Sequence, residues 1–256
     1  MPFNDITKRD WVIVPAYNCL DYTKDCIKSL QEQTLDLNIW VLNNGSSDST
    51  SLWKPPQGVI LTNHYPNFRS LSGLWNHALR TVFQTYQRRY AFIVNNDAVL
   101  RPDTLERLLE HSQNANREFV TAVSLDDQER VMAGEVDPDR TGERPHPDFS
   151  CFMITRSCYT KVGPFDEHFI PAYREDQDYH RRMTLAGVEA VCIDIPFLHR
   201  ASATTKRNPE KSEQVAQLDQ FRKEYYSHKW GGLWPSETHT IAFQGAQHQC
   251  PVCKVL

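Results

Sequence analysis

The chain has 256 residues, 40% of them hydrophobic and 23% charged, with a formal charge of −4 and ten His besides. This suits one large α/β domain, or one domain with an appendage, and excludes a disordered polar chain; the mild negative charge argues against a strongly electrostatic binder of nucleic acid or membrane. No segment approaches the roughly 18 apolar residues that span a bilayer, and seven Cys, an odd number, suit reduced thiols, so a soluble cytoplasmic protein is expected.

In chain order, "DWVIVPAYN" begins with an apolar run, Trp11 to Val14, that reads as a buried strand breaking at Pro15 into a polar turn. Tyr22, Cys26, Ile27 and Leu30 then recur at helical spacing. "NIWVLNNGSSDST" repeats the unit, with a strand from Ile39 to Leu42 followed by amides, Gly and hydroxyls. "GVILTN" predicts a third strand, and "GLWNHALRTVFQTY" a helix. "AFIVNNDAVLRPDTLERLLEHS" is a fourth strand that ends in Asn95, Asn96 and Asp97, then a helix with Leu105, Leu108 and Leu109 as its apolar stripe and Asp103 as its cap. Strands alternating with helices at this rhythm predict a mostly parallel sheet covered on both faces.

From about Thr121 the pattern loosens, and "SLDDQERVMAGEVDPDRTGERPHPD" reads as a long surface excursion of the kind that forms lids or binding loops. "FSCFMITRSCYTKVG" predicts a strand and a short helix. "FDEHFIPAYREDQDYHRRMTLAG" carries a helix ending near Gly187, and "VEAVCIDIPFLHR" a last strand running into a His. Beyond Ala201 the chain is polar and partly helical, which divides it into residues 1–204 and a C-terminal extension, 205–256. Lys206, Arg207, Lys211, Arg222, Lys223 and Lys229 make that extension locally basic, read here as a solvated helix face in preference to a site for an acidic polymer. "HTIAFQGAQHQCPVC" holds His239, His248, Cys250 and Cys253, enough ligands in principle for a structural zinc site; the competing reading is a packing tail with incidental thiols.

Ligands bind at the carboxyl ends of the strands in an open parallel sheet, so the polar clusters there belong together. The first offers Tyr17 and Asn18, the second Asn43, Asn44, Ser46, Ser47 and Asp48, the fourth Asn95, Asn96 and Asp97. Neither a G-x-G-x-x-G nor a P-loop pattern occurs, so a phosphate bound here needs another means of neutralisation. A divalent cation would serve, with Asp97 as the carboxylate, although Asn-Asn-Asp is equally a plain strand-to-helix turn. In "YREDQDYHRRM", Glu175, Asp176 and Asp178 stand at a helix start, where the macrodipole favours an ionised carboxylate able to accept a proton. A solvated acidic face balanced by Arg181 and Arg182 is the alternative.

Taken in order, "VIVPAYN", "VLNNGSSDST", "SGLWNHAL", "FIVNNDAVLRPDTLERLL", "GPFDEHFIPAYREDQDYHRRMTLAG" and "FLHRASAT" resemble the family 2 glycosyltransferases of the GT-A fold, in particular a rhamnosyltransferase-like branch. The resemblance covers residues 11 to 204. It implies a metal-dependent, inverting, hexosyltransferase-type enzyme that moves a sugar from a UDP- or dTDP-linked donor to an acceptor hydroxyl. Pro15, Ala16 and Tyr17 match the turn against the donor base, and Asn44 matches an Asp that reads its edge. The family's common "DDGS" or "DNGS" is "NNGS" here; an amide can still read a base, but the nucleotide is left open. Asn76 matches an Asn lining the donor site, and Arg69 lies near a cationic contact to the nucleotide. "NND" matches the metal motif, with Asp97 on Mn²⁺ or Mg²⁺, Asn95 and Asn96 supporting ribose or metal waters, and His199 completing the coordination. Asp176 matches the catalytic base, while Glu175 and Asp178 position the acceptor or support the helix. The acceptor is open among glycan, protein, lipid-linked sugar and a modified nucleic-acid base. A catalytically inactive nucleotide- or glycan-binding module of the same fold is the competing class.

Overall fold

The computed structural model describes residues 9–125, 143–144, 149–200 and 207–244. Its elements in order are β1 (Asp10–Ala16), α1 (Leu20–Gln31), β2 (Leu37–Asn43), β3 (Val59–Asn63), α2 (Leu71–Arg80), β4 (Tyr90–Val94), β5 (Ala98–Val99), α3 (Thr104–Asn114), β6 (Phe119–Leu125), β7 (Glu143–Arg144), β8 (Cys151–Thr155), α4 (Arg156–Val162), α5 (Glu175–Leu185), β9 (Ala190–His199), α6 (Pro209–Gln217) and α7 (Asp219–Trp230). The strands form one sheet in the order β3-β2-β1-β4-β8-β6-β9-β5, with β7 also on β9. β3, β2, β1 and β4 run parallel, β8 is antiparallel to both β4 and β6, and β9 is parallel to β6.

Side chains alternate across the pleat, so one strand feeds two cores. Val12, Val14 and Ala16 of β1 join Phe92 of β4 and Met153 of β8 beneath α1 and α3, which supply Cys26, Ile27, Leu30, Leu105 and Leu108. Trp11 and Ile13 join Ile93 and Phe152 on the other face, beneath Leu74, Trp75 and Leu79 of α2 and Tyr159, Tyr179 and Met183 of α4 and α5. Both faces are covered as the periodicity predicts. Two strands differ from the sequence reading. β6 begins where the apolar pattern loosens, because Thr121 is fully buried among apolar neighbours and disguises the run. β5 has only two residues, too short to leave a pattern, and owes its existence to pairing with β9. The helix cap also differs: Asp103 makes no capping bond and pairs with Arg101 and Arg107. Most of the excursion after Ser124 lies outside the described residues, as do Lys206, His248, Cys250 and Cys253 and with them the zinc reading.

The C-terminal helices pack on the loop before α5 through Phe169, Tyr225, Tyr226 and Trp230. Two basic residues assigned to a solvated face are instead buried, Arg222 at 1% exposure and Lys229 at 5%. Arg222 donates to the carbonyls of Ile170 (3.0 Å) and Val215 (2.7 Å). Lys229 Nζ sits 2.6 Å from both Asp166 Oδ2 and Asp178 Oδ1. Burial opposes ionisation of Asp166, but the charge and hydrogen bond of Lys229 prevail and hold its carboxyl well below the usual range. Asp178, fully buried, also accepts from Trp230 Nε1 at 2.9 Å and Arg182 Nε at 2.8 Å. Its carboxylate is therefore engaged in fastening α7 to α5, which corrects the acceptor-side reading in favour of helix support. Among the described residues no helix is long and apolar enough to cross a membrane. Removing one partner of such a buried ion pair strands the other, so Asp178→Ala is expected to cost about 3–5 kcal/mol in urea unfolding; a loss below about 1 kcal/mol would contradict the network.

Candidate functional site

The carboxyl ends of β1, β2 and β4 meet in one amide-rich rim. Asn18 follows β1 at φ 54°, a left-handed conformation that Asn tolerates better than most residues. Its N–H donates to Ser46 Oγ (2.7 Å), and its Oδ1 accepts from the backbone N–H of Ser47 (2.8 Å) and Asp48 (3.2 Å). The loop after β2 is thereby folded onto the end of β1. Asn43 closes it from inside, donating to Asn63 Oδ1 at 2.7 Å and accepting from Ser46 N at 3.1 Å.

Pro15 and Ala16 are buried at the end of β1, and the Ala16 carbonyl accepts from Asn44 N–H at 2.8 Å. Tyr17 is half-buried; its phenol is pushed up by burial and then by the charges of Glu210 and Asp48, which brings the start of α6 beside the rim. The Asn44 side chain brackets the backbone of one residue, donating to Phe68 O (3.2 Å) and accepting from Phe68 N (2.7 Å). One amide hydrogen and one lone pair of Asn44 are left for a ligand. Arg69, next along that strapped loop, is exposed. Asn76 does not reach the rim: it is 1% exposed, and its amide bonds both backbone groups of Phe165 and the Glu167 carboxylate. That corrects its reading as a donor-site residue, because the amide is buried and both of its hydrogens are spent inside the core.

The triplet after β4 is a turn and a polar cluster at once. Asn95 O accepts from Ala98 N–H at 3.1 Å, and Asn95 N–H donates to Ser150 O at 2.8 Å. Asn96 is buried and donates to Thr23 Oγ1 at 3.0 Å, tying the turn to α1. Asp97 meets the last strand: Ala98 pairs with His199 in the β5–β9 ladder, and Asp97 Oδ1 lies 3.3 Å from His199 Nε2. Burial and then the Asp97 charge push the neighbouring Cys26 thiol up. Among the described residues no cluster of three or more His, Cys, Asp or Glu could hold a metal ion. The two that do converge fit a divalent cation, since adjacent ligands at about 2.1 Å on an octahedral ion stand about 3 Å apart. Such an ion would take its remaining ligands from a bound molecule or water.

Asp176 sits in the first turn of α5, half-buried, with Oδ1 accepting from Gln177 N–H at 2.8 Å. Two consecutive left-handed residues, Tyr173 (φ 78°) and Arg174 (φ 72°), turn the chain into the helix. A run of backbone bonds ties this helix start to the rim: Asn44 holds Phe68, and Leu71 N–H donates to Pro171 O at 2.9 Å. Glu175 faces inward at 6% exposure, with Oε2 buried and unpartnered. Its acceptor-side reading fails for that reason. Burial and then the charge of Asp176 push the Glu175 carboxyl up to about 8, against the backbone N–H donors and Arg222. Sequence reasoning placed Asn18 on the rim without a role, and missed the contact of Asn208, whose Oδ1 accepts from Asn18 Nδ2 at 2.5 Å. A contact spanning 190 residues leaves no local signal.

Residues 11–131 match the model of the family described as Glycosyl transferase family 2. The chain is 23% identical over 256 residues to an uncharacterized glycosyltransferase of Rickettsia prowazekii, an alignment that takes in 93% of this chain and 76% of the relative. Over 107 residues, 39% of this chain and 14% of the relative, it is 31% identical to the chondroitin synthase of Escherichia coli. Among solved structures it is similar to a mannosyltransferase of Pyrobaculum calidifontis in complex with GDP-Man and Mn²⁺ (TM-score 0.57, 18% identity, 75% of this chain and 56% of that one). It is also similar to residues 1–349 of S. aureus TarS (TM-score 0.56, 14% identity, 82% of this chain and 64% of that one). The chain thus spans less than two thirds of either solved neighbour.

The raised Glu175 carboxyl has a consequence for stability. Between the ordinary carboxylate range and about pH 8 the native state holds a proton that the unfolded state has lost. The resulting stability is full below about pH 4.5 and is lost as pH rises through 8. Urea midpoints at pH 5.5, 7 and 9 should fall in the parent and stay flatter in Glu175→Gln, and parallel curves would refute the buried neutral acid. The family match covers residues 11–131, and the fold that continues from them is that of the GT-A glycosyltransferases.

Proposed function

We propose that the protein is a metal-dependent, inverting glycosyltransferase of hexosyltransferase type, moving a sugar from a UDP- or dTDP-linked donor to an acceptor hydroxyl. The observation that carries this reading is the Asp97–His199 pair, a carboxylate and an imidazole 3.3 Å apart at the strand ends of a GT-A sheet. A solved neighbour of the same fold is a complex with GDP-Man and Mn²⁺, and TarS has been solved with UDP, which supports a nucleotide sugar and a divalent ion here. Bound at the pair, Mn²⁺ or Mg²⁺ would neutralise charge developing on the leaving diphosphate. Asp97 and His199 hold the ion, while Asn95 and Asn96 fix the turn that aims Asp97 and support the ribose or metal waters. Pro15, Ala16 and Tyr17 pack on the donor base. Asn44 reads the base edge with the hydrogen and lone pair that Phe68 leaves it, and Arg69 approaches the nucleotide.

Asp176 accepts the proton of the acceptor hydroxyl as that oxygen bonds to the anomeric carbon and the bond from that carbon to the diphosphate breaks. Attack from the face opposite the leaving group inverts the anomeric configuration. The half-buried position of Asp176 leaves it open to an acceptor, and inward-facing Glu175 leaves it as the outward carboxylate of the helix start.

Purified protein with UDP- and dTDP-sugars, Mn²⁺ and a panel of acceptors tests the reading. Asp176→Asn should lower turnover about 10²- to 10⁴-fold while keeping donor affinity. Asp97→Ala should abolish metal-dependent donor binding in calorimetry with the thermal melt retained. Tight donor binding without turnover in the parent would make the protein a binding module, and transfer unaffected by chelator or by Asp97→Ala would remove the metal.

A further inference from the structure

The opposite end of the sheet carries a second polar site. A cleft of ≈ 840 Å³ opens where β4 and β6 begin and β8 ends, among residues that include Arg89, Arg117, Arg156 and Lys161. Arg89 and Arg117 lie just before β4 and β6, and Arg156 and Lys161 lie on α4, which follows β8, the strand between them, at the end of the sheet away from Asp97 and Asn44. Backbone bonds set their spacing. Arg156 N–H donates to Arg89 O at 2.9 Å, and Thr155 N–H donates to Glu118 O at 3.0 Å. Adjacent strands lie about 4.8 Å apart, so the backbone positions that carry these basic residues are close neighbours at one end of the sheet.

The cluster is only partly neutralised. Lys161 pairs with Glu118 at 2.7 Å, and Arg117 pairs with Glu189. Arg89 and Arg156 are exposed and have no carboxylate partner among the described residues. Arg89 lies over the Tyr90 ring, 5.2 Å from its centroid, and Arg156 donates to Gln87 Oε1 at 3.0 Å. In a chain of formal charge −4, two unpaired guanidiniums on a shared edge make a local positive field. The rest of the lining is rich in hydroxyls and amides, including Ser157, Thr160 and Asn116. Single-stranded nucleic acid requires aromatic platforms for its bases, and the one aromatic residue in the lining, Tyr90, is buried beneath Arg89. Sugar hydroxyls match the lining better.

We propose that this cleft binds an anionic polysaccharide, seating its acidic groups on Arg89 and Arg156 and its hydroxyls on the surrounding polar side chains. The site lies at the other end of the sheet from the transfer site and stands whether or not the transfer reaction does. It would hold a charged chain remote from the rim. Binding of the full chain to fluorescent polygalacturonate, dextran and single-stranded DNA, at low and physiological salt, is the test. Polygalacturonate should bind with strong salt dependence, dextran should not bind, and Arg89→Glu/Arg156→Glu should weaken binding at least tenfold. Lys24→Glu/Lys28→Glu, an equal change of charge on exposed positions of α1, should stay within twofold of the parent. The Gln pair at 89 and 156 repeats the measurement if the Glu pair lowers the melting temperature. Equal loss in both charge-reversed pairs, dextran bound as well as polygalacturonate, DNA bound more tightly than either, or no polymer bound at all would each overturn the proposal.

Discussion

Strands β1, β2 and β4 are buried on both faces, so a polar side chain in them has nowhere to go but the ends. α1 and α3 cover one surface and α2, α4 and α5 the other, with Val12, Val14, Trp11 and Ile13 filling both. An unpaired amide or carboxylate inside such a slab costs several kcal/mol. The polar residues are therefore pushed to the strand ends: Asp10 and Asn38 stand at the amino ends, and a larger group gathers at the carboxyl ends, where loops return and backbone groups await partners. The rim follows from the packing: Asn18, Asn43, Asn44, Asn95 and Asn96 all stand where an apolar run stops.

These amides are occupied largely with one another and with the loops. Asn18 gathers Ser46, Ser47 and Asp48, Asn44 straps Phe68, and Asn96 ties the β4 turn to Thr23. Because they are neutral, they brace the turn without adding charge beside Asp97. Its carboxylate meets His199 through β5, a strand of two residues whose only role in the sheet is to bring the turn onto β9. A neutral brace around one charged group suits a site whose ion is shared with its ligand.

The C-terminal helices show how charge misleads when only sequence is read. Arg222, Lys229 and Asp178 look like solvated or substrate-facing groups, yet all three are buried: Lys229 and Asp178 pair across the α5–α7 contact, and Arg222 bonds the carbonyls of Ile170 and Val215. The same helix start presents Asp176 outward and Glu175 inward. Neighbouring carboxylates thus differ in environment because consecutive helical residues point about 100° apart.

The sequence by itself determined the alternation of strands and helices, the two-sided sheet, and the placing of Tyr17, Asn44, Asp97 and Asp176 at element ends. Those features are local, since period-2 and period-3.6 patterns and turn residues act over a few positions. Tertiary structure alone decided that Asp97 meets His199, that Asn76 and Asp178 are core struts, that Asn208 reaches Asn18, and that Arg89 and Arg156 share a cleft. Each depends on which strands become neighbours and which helix face turns inward. Long-range burial fixes those choices, and a residue's type does not announce them.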